Sequence, residues 1–214
     1  VKALHEKLGI ASMEQLEQAC HEGNVASLEG FGEKTQSKIL EGIKHHDKTK
    51  GYFLISQAID EGEKFVRFLK RKCKDIIRIE VAGSLRRRKE IVHDIDILVS
   101  TERPGPIHKA FSEYPEVDQV LAKGETKSSV ILKSGIQADL RTVTDREFPY
   151  ALYYFTGSKE HNIAVRTIAK RNGFKISEYG VFKGKRLIPC KDEAGIFRIF
   201  GLHYIPPELR ENTG

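Results

Sequence analysis

Two carboxylates placed two residues apart open an apolar run in this chain, Asp94-Ile95-Asp96-Ile97-Leu98-Val99. Side chains alternate between the two faces of a β-strand, so Asp94 and Asp96 share one face while Ile95, Ile97 and Val99 enter a core. Like charges on one face repel. A divalent cation removes that cost, and an all-oxygen donor set suits Mg²⁺. Just upstream lie Gly83-Ser84 and the basic run Arg86-Arg87-Arg88-Lys89. The glycine lets backbone approach a ligand, Ser84 suits the N-cap of a short polar helix, and a helix start crowded with cations suits phosphate. Each piece alone has a plainer reading: the aspartates as a solvated pair, the basic run as a solvated face. Their conjunction in this order points to metal-assisted chemistry at phosphate.

The flanking elements must hold this constellation. Ile77, Ile79 and Val81 alternate with Arg78 and Glu80, which reads as a partner strand. A long helix is predicted from Leu54 to about Cys73, with Leu54, Ala58, Ile59, Phe65, Val66 and Leu69 at near-helical spacing. Arg103-Pro104-Gly105-Pro106 ends the central strand, a helix follows from Ile107 to Phe111, and Tyr114-Pro115 turns the chain. Val117 to Leu121, Ser129 to Leu132 and Ile136 to Val143 read as further strands of the same sheet. In the last of these, Ile136, Ala138 and Leu140 face the core, while Gln137, Asp139 and Arg141 share the other face. Asp139 is the candidate third carboxylate, although an aspartate on an open strand face also reads as solvated. Ser158 caps a helix running to Asn172, stopped by Gly173; Lys159, Asn162, Arg166 and Lys170 form its polar face, and Ala164, Ile168 and Ala169 its buried side.

Before the sheet the pattern is helical. A helix over Val1 to Leu8 stops at Gly9, and Ser12 with Gln15 makes a capping box for a second helix that carries Met13, Leu16 and Ala19 inward. In Leu28-Glu29-Gly30-Phe31-Gly32-Glu33-Lys34-Thr35, two glycines flank one apolar residue, and the following helix buries Ile39, Leu40 and Ile43. This resembles a helix-hairpin-helix, in which backbone N–H groups hold a DNA phosphate without reading sequence. A plain helical corner with packing glycines is the alternative. The polar stretch His45 to Gly51 reads as the linker closing this unit.

The 214 residues carry 36 Lys and Arg against 30 Asp and Glu, a net charge of +6 that suits a polyanionic partner. No apolar run approaches the roughly 20 residues of a membrane span, and no signal-peptide pattern starts at Val1. Cys20, Cys73 and Cys190 are odd in number and widely spaced, which favours a reducing, cytoplasmic setting without zinc or disulfides.

Together with Lys123-Gly124-Glu125-Thr126-Lys127, Tyr153-Tyr154-Phe155-Thr156-Gly157-Ser158-Lys159 and Glu178-Tyr179-Gly180, these motifs resemble the family X DNA polymerases, more narrowly their bacterial branch, across essentially the whole chain. The resemblance implies an α+β fold: a helix-hairpin-helix unit over 1–50, a nucleotidyltransferase palm with a mixed β-sheet over 51–147, and a nucleotide-selecting α/β unit over 148–214. It implies template-directed addition of dNTPs to a primer 3′-hydroxyl, with gap filling in DNA repair as the setting. Asp94, Asp96 and Asp139 would hold two Mg²⁺ ions, Mn²⁺ being the substitute. Gly83, Ser84, Arg87 and His93 would lie along the triphosphate, Tyr154, Phe155 and Gly157 along the sugar, where the turn they form leaves no room for a 2′-hydroxyl, and Lys159 and Asn162 near the base. Gly30, Gly32 and Lys34, with a monovalent cation at the hairpin, and Lys127, Arg141 and Arg166 would contact primer-template or gapped DNA. A monomer without membrane attachment is implied. His93 stands where members usually carry glycine, Ile163 where a basic residue often faces the template, and Tyr52-Phe53 where many carry an arginine. An N-terminal lyase domain and a C-terminal phosphoesterase domain are not expected in this chain, nor are lyase, exonuclease and abasic-endonuclease activities. The rivals are a nucleotidyltransferase of RNA ends or small molecules, and a catalytically weak DNA-binding module.

Overall fold

The computed structural model of the chain describes residues 2–49 and 51–211. The expectations placed on Val1 and on a boundary at Lys50 lie outside the described residues. Two compact units are present, residues 1–50 and 51–214.

The first unit holds helices α1 (Lys2–Leu8), α2 (Met13–His21) and α3 (Glu33–Thr49). Ser12 Oγ accepts the Gln15 N–H at 3.3 Å, and Gln15 Oε1 accepts the Ala11 N–H at 2.8 Å, one residue earlier than a strict capping box. Leu4, Ala19, Cys20 and Val25 form the core, with Leu16, Leu28, Phe31, Ile39 and Leu40 around it. Two expectations are corrected. Met13, at the first position of α2, is 41% exposed instead of inward. Residues 45–49, read as linker from their polarity, are helical; no Pro or Gly interrupts them before Gly51, and extending an existing helix costs little.

The second unit runs β1 (Phe53–Leu54), α4 (Ile55–Lys72), β2 (Arg78–Val81), α5 (Gly83–Arg86), β3 (Ile91–Val92), β4 (Asp94–Ser100), α6 (Pro104–Ser112), β5 (Val117–Lys123), β6 (Lys127–Leu132), β7 (Gln137–Val143), α7 (Phe148–Thr156), α8 (Lys159–Arg171), β8 (Phe174–Ser177), β9 (Gly180–Lys183), β10 (Arg186–Ile188) and α9 (Glu193–Ile199), then a 3₁₀ turn at Pro207–Leu209. The architecture is α+β. Its main sheet has the order β2-β4-β7-β6-β5, with β4 and β7 parallel and the other pairs antiparallel. Ile95, Ile97, Val99, Ala138 and Leu140 pack against Phe65 and Leu69 of α4 and Ile107 and Phe111 of α6. Phe65 stacks on Phe111 at 4.7 Å and on Tyr114 at 4.1 Å between ring centres. α6 begins three residues earlier than expected, because Pro104 supplies a helix-compatible φ where its missing N–H is not needed. A second core gathers Tyr150, Tyr153, Val165, Ala169, Ile176, Val181, Ile196, Phe197 and Phe200. Ala82, Leu98, Phe148, Ala151 and Leu152 join α7 to the sheet.

Candidate active site

The parallel pairing of β4 and β7 sets Asp96 opposite Asp139 and Asp94 opposite Gln137. The alternation read from the sequence holds: Ile95 and Ile97 are buried in the core, and the aspartates take the other face. Gly83, the first residue of α5, makes room for this arrangement. A Cβ there would lie 2.0 Å from Asp96 Oδ2, and its φ of +60° is one that glycine adopts freely.

The three carboxylates are electrostatically unequal. Burial, then the charges of Asp94 and Asp139, push Asp96 up to about 7. Burial and then Asp139 also raise Asp94. Burial pushes Asp139 the same way, but hydrogen bonds from Lys127, Ser129 and Gln137 outweigh it and hold Asp139 below its ordinary value. Lys127 Nζ lies 2.7 Å from Asp139 Oδ2, and Gln137 Nε2 donates to Oδ1 at 3.0 Å. Among the described residues no three His, Cys, Asp or Glu side chains form a ready-made metal cluster. The donor chemistry nevertheless fits a hard divalent ion: all donors are carboxylate oxygens, and the raised Asp96 is a group short of positive charge.

The neighbouring wall differs in detail from the sequence reading. Ser84 is the second residue of α5 and not its cap; Ala82 holds that position with no side-chain bond, because the helix starts at Gly83. Tyr154, Phe155 and Thr156 form the last turn of α7 where a turn was expected, since the aromatic run continues the helix to Gly157, whose φ of +71° ends it. Ser158 then caps α8, accepting the His161 N–H at 3.2 Å. His161, Val165 and Ala169 are the buried residues of α8, while Ala164, expected inside, is half-buried. Asn162 Nδ2 donates to the Tyr154 carbonyl at 2.8 Å and ties the two helices together. Lys159 and Arg166 are exposed. The Arg141 guanidinium lies 4.4 Å over the Phe155 ring. The exposed His93 ring rests 4.0 Å from that of Tyr52. In the first unit, Gly30 has φ +84° and Gly32 faces open space, with the exposed Lys34 in the first turn of α3.

An ion-pair network beside the site has no signature in the sequence. Arg86 donates to Glu193 at 3.0 and 2.6 Å and to Thr156 Oγ1 at 2.7 Å, and Arg210 donates to Glu193 at 2.6 Å. Beside it Arg87 donates to Glu211 at 2.7 Å and to the Thr156 carbonyl at 2.5 Å. These partners lie far apart in the chain, and no local pattern announces them.

The sheet order, the flanking helices and the three carboxylates define a nucleotidyltransferase architecture of the polymerase beta type. The same fold occurs in the Leishmania infantum polymerase beta, solved as a ternary complex, with a TM-score of 0.68 at 20% identity over 98% of this chain and 92% of that one. A model of the DNA polymerase beta thumb matches residues 151–211. The DNA polymerase/3'-5' exonuclease PolX of Bacillus subtilis is 38% identical over 216 residues, covering 99% of this chain and 38% of that protein. The repair DNA polymerase X of African swine fever virus (isolate Tick/Malawi/Lil 20-1/1983) is 31% identical over 144 residues, or 62% of this chain and 80% of the viral protein. The chain belongs to the family X DNA polymerases. It spans little more than a third of the length of its bacterial relative, and no helix among the described residues is long and apolar enough to cross a membrane.

Proposed function

We propose that the chain adds deoxynucleotides to a primer 3′-hydroxyl opposite a template, most naturally in filling short gaps during DNA repair, and that it works as a monomer. The observation that carries this reading is the meeting of Asp94, Asp96 and Asp139 on one face of β4 and β7, with Asp96 pushed up to about 7. A group so displaced takes up a divalent cation readily, because the ion supplies the charge that burial withholds.

Asp94, Asp96 and Asp139 would hold Mg²⁺ or Mn²⁺, which supplies activation of the attacking hydroxyl and charge neutralisation at the leaving pyrophosphate. The rest falls to the chain. Gly83 keeps the backbone of α5 tight against Asp96. Ser84 and Arg87 supply donors for phosphate oxygens, Arg87 being oriented by Glu211 and the Thr156 carbonyl. Tyr154, Phe155 and Gly157 close the sugar side, and Lys159 and Arg166 remain solvent-facing for base and template. We assign palm work to 51–147 and nucleotide selection to 148–214, with the Gly30–Lys34 hairpin gripping the DNA backbone through α3 N–H groups that have no intrahelical partner.

Primer extension on gapped and ungapped templates with each dNTP and rNTP tests the reading. The parent should extend with dNTPs at least about tenfold better than with rNTPs. Asp139→Ala should lose on the order of 10³-fold in extension while still binding duplex DNA. Extension by that variant within tenfold of the parent removes Asp139 from the reaction, and equal use of both sugars favours an RNA-end nucleotidyltransferase.

A further inference from the structure

We propose that Lys127 is a resident counter-ion for Asp139: it occupies an oxygen that a divalent cation needs, and leaves it when the cation binds. The inference rests on the reading of Asp94, Asp96 and Asp139 as metal ligands and goes beyond it in assigning Lys127 a role opposed to the metal.

The geometry is specific. Across β6 and β7, Lys127 stands opposite Arg141 and Ser129 opposite Asp139, so Lys127 reaches Asp139 along the diagonal, within range of a long side chain. Its Nζ sits 2.7 Å from Oδ2 while Gln137 Nε2 takes Oδ1 at 3.0 Å, so both oxygens of Asp139 are engaged. The two partners differ in freedom. The Asp139 side chain is 10% exposed and fixed, whereas that of Lys127 is 42% exposed on a flexible stem. Lys127 can therefore swing into solvent without disturbing the core.

Its charge also bears on Asp94 and Asp96. A lysine in the same cluster as three carboxylates does part of the work of a cation, and so competes with one. If the pair is formed nine-tenths of the time, the apparent metal affinity falls about tenfold. Once displaced, the ammonium stands free on the exposed end of β6, near Lys123 and Arg141, and is available to a backbone phosphate. Divalent ion and duplex DNA then each favour binding of the other, by reciprocal factors.

Mn²⁺ titration of the whole chain without nucleotide, followed by electron paramagnetic resonance, tests the exchange. Lys127→Met should bind Mn²⁺ about tenfold more tightly than the parent, and Lys123→Met, which removes the same charge from β5 without touching Asp139, by less than about twofold. Lys127→Arg retains the charge and stays near the parent, which guards against a folding artefact. In an Asp139→Asn background the effect of Lys127→Met should vanish. A short duplex at low salt should raise the parent's Mn²⁺ affinity by about threefold more than that of Lys127→Met. The proposal is overturned if Lys127→Met matches the parent or weakens Mn²⁺ binding, if Lys123→Met has the same effect, if the effect persists without Asp139, or if duplex acts equally on both proteins. Failure of the underlying metal reading looks different: Asp94→Asn and Asp139→Asn would leave the parent's Mn²⁺ binding untouched.

Discussion

Two charged clusters flank α5, and they are built on opposite plans. Arg86 and Arg210 enclose one shared carboxylate, Glu193, and the three are nearly closed to solvent, with side chains 20%, 0% and 7% exposed. Asp94, Asp96 and Asp139 are alike in charge, and only Asp139 has a close cationic partner. A buried carboxylate whose cations both come from the chain has a structural task; carboxylates left short of cations are completed by something that binds. The short helix α5 touches both, with Gly83 against Asp96 and Arg86 inserted into the network. The closed cluster thus holds the wall against which the open one is set.

Breaking the closed cluster should have the largest effect on stability. Glu193→Ala leaves two guanidinium groups facing each other without their shared carboxylate, and removing one partner of a buried ion set typically costs about 3–5 kcal/mol. Urea denaturation read on the second unit should show that loss, and a change below about 1 kcal/mol would mean that water already satisfies the arginines. Burial raises the Glu193 carboxyl, but Arg86 and Arg210 more than offset this and hold it below its ordinary value. Its folded value thus lies below its unfolded one, so its contribution is present above the usual carboxylate range and is lost as pH falls through the folded value.

Neutralising the open cluster should act in the other direction. Asp96 moves from 3.8 unfolded to about 7 folded. In that interval the unfolded chain is ionised and the folded one protonated, so its stabilising contribution is complete below about 4 and disappears as pH rises to 7. In metal-free buffer at pH 8, Asp96→Asn should be more stable than the parent by on the order of 2–3 kcal/mol, with the difference fading toward pH 4. His108 and His161 are both lowered by burial and destabilise the fold as pH drops below the histidine range, but parent and variant share that trend. Millimolar Mg²⁺ should shrink the pH 8 difference. A difference that is flat in pH, or indifferent to Mg²⁺, would place the strain elsewhere.

The same contrast explains what the sequence discloses. Asp94, Asp96 and Asp139 are legible because a period of two in Ile95, Ile97 and Val99, and again in Ala138 and Leu140, fixes their face locally. The parallel pairing that brings them together has no local signature; the motif resemblance implies only that the three carboxylates meet. The closed cluster is illegible for the same reason: Arg86 meets Glu193 across 107 residues and Arg87 meets Glu211 across 124. In the run Arg86 to Lys89 nothing in composition distinguishes the half-buried Arg86 and Arg87 from the exposed Arg88 and Lys89. Ser84, Tyr154–Thr156 and residues 45–49 depart from the sequence expectation for one reason: helix continuity or backbone geometry outweighs residue preference there.

Arg88 separates the two clusters and belongs to neither, which makes it the mildest test of the comparison. It is exposed and is the only described non-glycine residue with positive φ, at 59°. Its N–H donates to the Leu85 carbonyl at 3.1 Å and the Lys89 N–H to that of Ser84 at 3.2 Å, the pair of bonds that closes a helix through a left-handed residue. Glycine is the usual occupant there. A side chain in this conformation costs roughly 1–2 kcal/mol, while glycine adds about 0.5–1 kcal/mol of unfolded-state entropy. Arg88→Gly should therefore gain at most about 1.5 kcal/mol, raising the melting temperature of the second unit by no more than about 3–6 °C. Primer extension should stay within about twofold of the parent, because neither cluster loses a partner. A fall in melting temperature would instead show that the Arg88 side chain holds the cleft it lines with Glu80 and Glu208, and that the basic run contributes a third charged contact between α5 and the end of the chain.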